Sequence, residues 1–228
     1  AAILAPGLTG WAAARAVLAG ETTYEPAPLA PPVADLLPAV ERRRTGSMVK
    51  LALAVGHEAL TAVGRPVDSI ATVFVSSGGD GDVINDICIT LAGSDRQVSP
   101  TRFHNSVHNA PSGYWGIATR SHHPSTSLCG FDWSFAIGLL EAAAQLQVDR
   151  PEVLLVAYDT PYPEPLRGLR PVTQPFGTAL LLTRDRTGGA IARLEITMDA
   201  RAQEISRMSD AALEQLRNGN PCARALPL

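Results

Sequence analysis

Apolar residues cluster in short runs along this chain, and most of the runs end at a loop. Continuous runs of β-branched and aliphatic residues are typical of strands that are buried on both faces of a sheet. The strands predicted along the chain are Ala2–Leu4, Ile70–Val75, Ser125–Leu128, Val153–Tyr158, Thr178–Thr183 and Ala190–Ile196.

Ala-rich segments between these runs carry apolar residues at the spacing that places them on one face of a helix. The predicted helices are Trp11–Leu18, Arg44–Val63, Val83–Leu91, Asp210–Arg217 and a segment that follows Gly130. Prolines exclude a continuous helix from Glu21–Pro38, for which we expect an extended segment, and mark Pro161–Pro175 as a loop. Buried strands that alternate with helices indicate an α/β layer architecture with a mostly parallel sheet.

Composition narrows the function classes. The 228 residues are 46% apolar and 18% charged, as in ordinary globular proteins, and the net charge of −3 is too small to indicate nucleic-acid or anionic-membrane partners. No apolar run reaches the roughly 18–20 residues of a membrane helix, and the first residues lack the pattern of a signal peptide. Three widely spaced cysteines do not form a disulfide or zinc pattern, so we expect a cytoplasmic protein.

Two polar motifs resemble ligand sites without completing them. His104 and His108 would share one face of a helix, but the glutamate of a zinc-binding HExxH pattern is missing, so we expect hydrogen-bonded histidines. The glycine-rich segment Gly78–Gly81 lacks the Gly-Lys-Ser/Thr ending of a phosphate loop. Its glycines are better explained by positive φ or by close approach of the backbone to another group.

Residues 124–142, PSTSLCGFDWSFAIGLLEA, have the pattern of a strand that enters a sharp turn and an apolar helix. A thiol at such a turn lies near a helix N-terminus, which favours the thiolate and makes it a nucleophile. Cys129 is therefore a candidate nucleophile, although a buried, inert thiol is the commonest state of cysteine. The residues alone leave both interpretations open.

Several segments together carry a family resemblance: SPTRFHNSVHNAPSGYWGIAT, STSLCGFDWSFAIGLLEA, VLLVAYD and FGTALLLTR. They resemble the N-terminal half of β-ketoacyl-acyl-carrier-protein synthases and, more closely, the short ketosynthase-like proteins of bacterial aryl polyene and xanthomonadin-type pigment clusters. The resemblance implies an α/β, thiolase-like fold in which residues 1–228 form one β-ketoacyl synthase-like N-terminal domain. It implies a mostly parallel mixed sheet covered by helices, with no cofactor and no metal.

Catalytic ketosynthases carry their nucleophile in a pattern similar to A-C-x-S-x-x-x-x-x-G. Setting the last glycine on Gly138 puts Gly130 at the nucleophile position and leaves Cys129 one residue too early. Catalytic members also use two histidines in motifs resembling HGTGT and NxxxGHxxG, neither of which occurs in this chain. The resemblance therefore implies a non-catalytic chain length factor.

Such a factor forms a heterodimer with a catalytic ketosynthase, meets acyl carrier protein through that complex and shapes the partner's acyl tunnel. The resemblance places these residues at the interface and tunnel: Phe103, His104, Ser106, Val107 and His108 from a helix start, and Ser125, Thr126, Ser127, Leu128 and Cys129 from a strand. The bulky candidates for the tunnel wall are Phe103, Phe131 and Trp133, and ordinary core or interface packing is the alternative for Phe131 and Trp133.

Two other functions compete with this interpretation. The first is an acyltransferase or thioesterase that uses Cys129, and the second is a homodimeric structural relic without a partner. They differ in a measurable property, because only the enzyme would load an acyl group onto Cys129 in the absence of a ketosynthase.

Overall fold

One mixed sheet organises the part of the chain that this computed structural model describes, residues 1–148, 150–185, 189–199 and 204–228. Its strands are β1 (Ala2–Ala5), β2 (Leu8–Thr9), β3 (Ala71–Ser76), β4 (Ser125–Cys129), β5 (Glu152–Asp159) and β6 (Phe176–Thr183). The strands lie in the order β2-β1-β6-β5-β3-β4, so β3 and β5 are central and β4 lies at one edge.

Nine helices are described around the sheet. They are α1 (Trp11–Leu18), α2 (Ala39–Arg44), α3 (Ser47–Thr61), α4 (Gly81–Ala92), α5 (Pro100–Asn105), α6 (Ala110–Thr119), α7 (Ser134–Val148), α8 (Leu166–Leu169) and α9 (Ala211–Gly219). Short 3₁₀ turns occupy Phe131–Trp133 and Pro221–Ala225. The predicted mixed sheet covered by helices is confirmed.

The share of parallel pairing is smaller than expected. Strand β3 pairs in parallel with β4 and β5, whereas β5 with β6, β6 with β1 and β1 with β2 are antiparallel. The segment between β5 and β6, residues 160–175, holds only the four-residue helix α8 and no long crossover helix of the kind that usually joins parallel strands. The sheet is therefore parallel only around β3.

Each face of the sheet packs against its own helical layer. Alternate residues of the central strands, such as Phe74 and Leu154, pack with α3 and α6 in one core, while Val75 and Leu155 pack with α7 and α9 in the other. Because β3 and β5 are covered on both faces, nearly every residue in them is buried. This explains why both strands are continuous apolar runs in the sequence.

Several predicted elements need correction. The single helix expected over Arg44–Val63 is two helices, α2 and α3, because Thr45 and Gly46 are extended between them. Strand β2 and helices α6 and α8 were not predicted. The extended interpretation of Glu21–Pro38 is confirmed, since this fully described stretch contains no helix or strand.

The predicted strand Ala190–Ile196 is wrong. Within the described residues 189–199, the backbone pairs with no strand, and Ile191 is exposed. The preceding strand β6 already has β1 on one side and β5 on the other. No free edge of β6 remains, so the alternating sequence finds no hairpin partner.

Gly138 allows α7 to approach the sheet closely. A Cβ atom at this position would lie 2.5 Å from Cγ1 of Val75 and 2.9 Å from Cδ1 of Leu155. We expect Gly138→Ala to lower the free energy of unfolding by about 1–3 kcal/mol, the usual cost of overpacking a core. Chemical denaturation of the purified protein measures this change.

Gly113→Ala is the matched control, because Gly113 also lies in a helix but has no atom within 4 Å of the added Cβ. Alanine has the higher helix propensity, so this variant should be as stable as the wild type or more stable. Equal stability of the two variants would contradict the close contact at Gly138.

Candidate functional site

The turn between β4 and α7 is held by one hydroxyl group. Ser134, fully buried, accepts a hydrogen bond from the backbone N–H of Gly130 at 3.0 Å. Its Oγ also lies 3.0 Å from the carbonyl oxygen of Ser76 and 2.8 Å from that of Phe131, so its one proton is shared between two acceptors. The side chain thus ties the turn to the carboxyl end of β3.

Phe131 has an unusual backbone conformation, with φ at 53°. Residues other than glycine rarely adopt this left-handed region, and a bulky residue there costs about 1–3 kcal/mol. Strained residues cluster at functional sites, where neighbouring contacts hold them in place. The turn therefore presents an aromatic ring at its most strained position.

Gly130 lies immediately before this ring and has little space for a side chain. A Cβ atom there would contact Cδ1 of Ile137 and lie 3.2 Å from Cα of Ser134. Gly130 has a negative φ of −130°, so it is the available space and not a positive φ that favours glycine here. The position that the resemblance gives to the nucleophile thus carries no reactive group.

The thiol of Cys129 points to a backbone carbonyl. Its Sγ lies 3.0 Å from the carbonyl oxygen of Ser77, and this hydrogen bond requires the proton on sulfur. The thiol hydrogen is thus directed at a backbone acceptor at the end of an edge strand.

A buried carboxyl group lies at the end of the neighbouring strand. Asp159, which has no exposed surface, accepts hydrogen bonds at Oδ1 from the backbone N–H of Ser77 at 2.9 Å and from its hydroxyl at 3.0 Å. Burial raises the pKa of Asp159 to about 6, although the hydrogen bonds from Ser77 oppose the rise. Burial and the nearby Asp159 raise the pKa of the Cys222 thiol as well.

The glycines of Gly78–Gly81 make room for a tyrosine ring. A Cβ at Gly78 would contact the hydroxyl of Tyr162, and one at Gly81 would lie 2.7 Å from its Cδ1. Burial raises the pKa of the Tyr162 phenol, whose other neighbours include Ser77, Asp159 and Arg170. Both interpretations of this glycine-rich segment are confirmed, because Gly79 has a φ of 78° and the other two glycines lie close to the Tyr162 ring.

Two arginines hold the residues of the turn. The guanidinium of Arg170 lies over the ring of Phe131, with Cζ 3.4 Å from the ring centroid, and its Nη2 lies 3.1 Å from Oδ1 of Asp132. Arg224 contacts the other oxygen of Asp132 at 3.4 Å and lies 5.7 Å from the centroid of Trp133. Phe131 and Trp133 nevertheless remain 59% and 58% exposed.

The predicted helix start is only partly helical. Helix α5 ends at Asn105, so His108 lies outside it and shares no helix face with His104. The ring of His104 makes an edge contact with Tyr114 at 5.8 Å, and Nε2 of His108 is buried without a hydrogen-bond partner in the described residues. Within the described residues, the expected hydrogen bond is therefore missing at Nε2 of His108.

The other residues of this segment face outward to different degrees. Phe103 is 65% exposed and Val107 is 47% exposed, and the hydroxyl of Ser106 donates to the carbonyl oxygen of Phe103 at 2.8 Å. Asn105 connects the segment to the core, because its side chain donates to the carbonyl of Arg44 and accepts from the hydroxyl of Tyr114. The exposed apolar side chains are thus carried on an anchored helix end.

Strand β4 has an open edge. Among the described residues it pairs with β3 alone, and its side chains are exposed or half-buried. Side-chain hydroxyls tie it to both flanking layers, with Ser127 bonded to Ser112 of α6 at 3.1 Å and Thr126 bonded to Gln145 of α7 at 3.2 Å. An unpaired strand edge is a template for pairing with another chain.

Apolar side chains are also exposed on the helices next to this edge. They include Ile117 on α6 and Ile137 and Leu140 on α7, besides Phe131 and Trp133 in the turn. Helices α6 and α7 both contact β4. An open strand between exposed apolar residues has the composition of a protein interface.

The described ranges of the chain contain neither a metal-binding cluster nor a membrane-spanning helix. No group of three or more His, Cys, Asp or Glu side chains in them is arranged to hold a metal ion. None of the helices in these ranges is both long and apolar enough to cross a membrane.

Sequence reasoning missed four residues of this site: Asp159, Tyr162, Arg170 and Arg224. Asp159 has a recognisable signal, because a polar residue directly after a buried strand lies at the carboxyl edge where α/β sheets place their sites. The two arginines have none, since they reach the turn from distant segments.

The chain belongs to the family of beta-ketoacyl synthase N-terminal domains, whose model matches residues 11–226. Its structure is similar to a ketosynthase, ApeO, in complex with its chain length factor, ApeC, from Xenorhabdus doucetiae, with 28% identity, a TM-score of 0.68 and coverage of 81% of this chain and 76% of that chain. No curated protein matches the chain in sequence. The expected thiolase-like ketosynthase fold is confirmed.

More distant structures share the fold alone. The ishigamide ketosynthase/chain length factor is 16% identical, with a TM-score of 0.62 over 83% of this chain and 62% of that chain. A beta-ketoacyl synthase from Burkholderia phymatum STM815 is 14% identical, with a TM-score of 0.61 over 80% of this chain and 58% of that one. The chain spans about three quarters of the Xenorhabdus protein and less than two thirds of these two.

The raised pKa of Asp159 predicts a pH dependence of stability. Because the folded-state pKa of about 6 exceeds the ordinary value of 3.8, the folded chain binds this proton more tightly than the unfolded chain. The stability that protonated Asp159 contributes is complete below pH 3.8, the ordinary pKa of this carboxyl, and is lost as the pH rises through about 6. Asp159→Asn should therefore gain stability relative to the wild type between pH 4.5 and pH 7.5, by about 3 kcal/mol at most.

Urea denaturation at both pH values measures this difference. Using the difference between two pH values cancels any constant cost of the substitution. Asp95→Asn, at an exposed position, is the control and should change little. A constant stability difference between Asp159→Asn and the wild type across this range would contradict the burial argument.

Proposed function

We propose that this chain is a non-catalytic chain length factor that pairs with a catalytic β-ketoacyl-acyl-carrier-protein synthase and shapes its acyl tunnel during aryl polyene biosynthesis. The observation that carries the proposal is the turn at residues 129–133. It has the strand, sharp turn and helix of a nucleophile site, but Gly130 carries no side chain and Phe131 holds the strained conformation. The fold thus supplies a ketosynthase scaffold without the sulfur that the reaction needs.

The proposed interface is centred on the open edge of β4. Pairing of this edge with a strand of the ketosynthase would satisfy its unpaired backbone groups and extend the sheet. The exposed apolar residues on α6, α7 and the turn would be buried at the same time. In this arrangement Ser125, Thr126, Ser127, Leu128 and Cys129 form the interface strand, and acyl carrier protein meets the chain through the assembled complex.

The proposed contribution to the tunnel comes from the segment 103–108 and from the turn after β4. In this proposal Phe131 and Trp133 border the partner's acyl cavity. The residues that extend toward the cavity are Phe103, His104, Ser106, Val107 and His108. Large exposed rings fit this role, because an acyl chain that grows past them would overfill the cavity, and overfilling a packed space costs about 1–3 kcal/mol. The likeness to a structure that contains a chain length factor supports this assignment.

Co-expression with the catalytic ketosynthase of the same kind of cluster tests the proposal. We expect native mass spectrometry to show a one-to-one complex, and intact-protein mass spectrometry to show elongation of acyl groups on acyl carrier protein by the complex but not by this chain alone. Elongation by the isolated chain would overturn the non-catalytic assignment. A stable homodimer that ignores the ketosynthase would overturn the partner assignment.

Phe131→Ala should lengthen the products of the complex. Removal of the ring opens space at the proposed wall, so the product distribution measured by mass spectrometry should shift toward longer acyl chains. Phe103→Ala should act in the same direction. The control is Val148→Ala, at an exposed residue at the far end of α7, which should leave the distribution unchanged.

Cys129→Ser separates the proposal from an acyltransferase or thioesterase. Serine preserves a donor to the carbonyl of Ser77, so the complex should assemble and elongate at the wild-type rate. An enzyme that uses the Cys129 thiol would instead lose acyl loading by at least about a hundredfold, as expected when a nucleophile is removed. Acyl loading of the isolated chain, with and without iodoacetamide, gives an independent measurement.

A further inference from the structure

The loop between β5 and β6 covers the carboxyl edge of the sheet at two points. Near its start, Tyr162 packs on Gly78 and Gly81. Near its end, Arg170 reaches the turn after β4. A loop fixed in this way connects the glycine-rich segment, the buried Asp159 and the aromatic turn.

Arg170 makes a specific contact with Phe131 and not only an ion pair with its neighbour. Its Cζ lies 3.4 Å from the ring centroid, which is the stacking distance of a planar guanidinium on an aromatic face. Its Nη2 lies 3.1 Å from Oδ1 of Asp132 but is not aligned as a hydrogen bond. The ion pair therefore does not set the orientation of the guanidinium plane, whereas the contact with the ring does. The arginine side chain is only 18% exposed, so its position is well defined.

The backbone conformation of Phe131 requires a stabilising contact such as the one with Arg170. With φ at 53°, its backbone is held against its intrinsic preference, and rotation about the Cα–Cβ bond is limited by the contacts that the ring makes. One face of the ring is covered by Arg170 while 59% of the residue remains exposed. The guanidinium therefore fixes the direction in which an exposed ring projects.

We propose that Arg170 is a positioning residue that holds Phe131 in place and thereby sets the length limit of the acyl cavity. The inference deepens the proposed function and rests on it. Arg170 does not touch the acyl chain in this proposal. It acts through the Phe131 ring, and the negative charge of Asp132 keeps its guanidinium at the turn.

The weaker contact of Arg224 with Trp133 makes a useful comparison. Arg224 also pairs with Asp132, but its Cζ lies 5.7 Å from the ring centroid of Trp133, near the outer limit for such an interaction. The backbone of Trp133 has no positive φ. Arg224 therefore lacks both features that single out Arg170.

The test uses the complex with its ketosynthase and measures the distribution of acyl chain lengths. Arg170→Ala should raise the ratio of overlong to normal products about threefold to tenfold, which is the range expected for loss of one cation–π contact. Arg170→Lys keeps the charge beside Asp132 but loses the planar stacking, so it should raise the ratio less. Assembly of the complex and total product should stay near wild-type values in both variants.

Arg167→Ala is the matched control. Arg167 lies in the same loop and pairs with the exposed Glu164, away from the aromatic turn. Its loss should leave the product distribution unchanged. The double variant of Phe131→Ala with Arg170→Ala should give the same product distribution as Phe131→Ala alone, because Arg170 affects the cavity only through the Phe131 ring.

The outcomes separate this inference from the proposed function. If Phe131→Ala lengthens products while Arg170→Ala, in an assembled complex, does not, the role of Arg170 is wrong and the proposed function stands. If Arg170→Ala fails to assemble, Arg170→Lys decides, and a wild-type distribution for that variant overturns the inference. If Phe131→Ala has no effect, the wall assignment fails, and the role of Arg170 fails with it.

Discussion

Helix α7 lies directly against strand β3 because Gly138 has no side chain, and the geometry of the candidate site depends on this contact. Val75 and Leu155 fill the space that a Cβ atom would take. With the helix held at this distance, its first residue, Ser134, comes within hydrogen-bonding reach of the carbonyl of Ser76. The turn before the helix is thereby fixed over the carboxyl end of the sheet.

The same edge of the sheet collects the buried polar groups. Ser77, at the end of β3, donates both its backbone N–H and its hydroxyl to Asp159 at the end of β5, and its carbonyl receives the thiol of Cys129. Parallel strands bring their carboxyl ends together, so three consecutive segments contribute to one network. The network pairs the backbone N–H and the hydroxyl of Ser77 with Oδ1 of Asp159, whereas Oδ2 of Asp159 has no hydrogen-bond partner among the described residues.

The turn after β4 carries exposed aromatic surface. Phe131 and Trp133 are more than half exposed although each lies beside a guanidinium group. Exposed apolar rings and an unpaired strand edge are both unfavourable in water. Contact with another protein would bury these rings and pair the open edge of β4 at the same time. The physical properties of the site thus agree with an interface that borders a partner's cavity.

The central strands and most helices were predictable because their burial is visible in the sequence. Ile70–Val75 and Val153–Tyr158 are continuous apolar runs, which only burial on both faces explains, whereas Ala190–Ile196 shows that a strand-like pattern forms no ladder when its neighbour has no free edge. The two-residue strand β2 is too short to give any periodic signal.

The sequence by itself determined the spacing between Gly130 and Gly138. It also determined that the position before Phe131 is a glycine and carries no thiol. It did not determine that Phe131 adopts a positive φ, nor that Arg170 stacks on its ring. Those features arise from residues about 40 positions apart that meet only after the sheet has formed. Local patterns record burial and backbone preference, whereas contacts between distant loops are decided by tertiary packing.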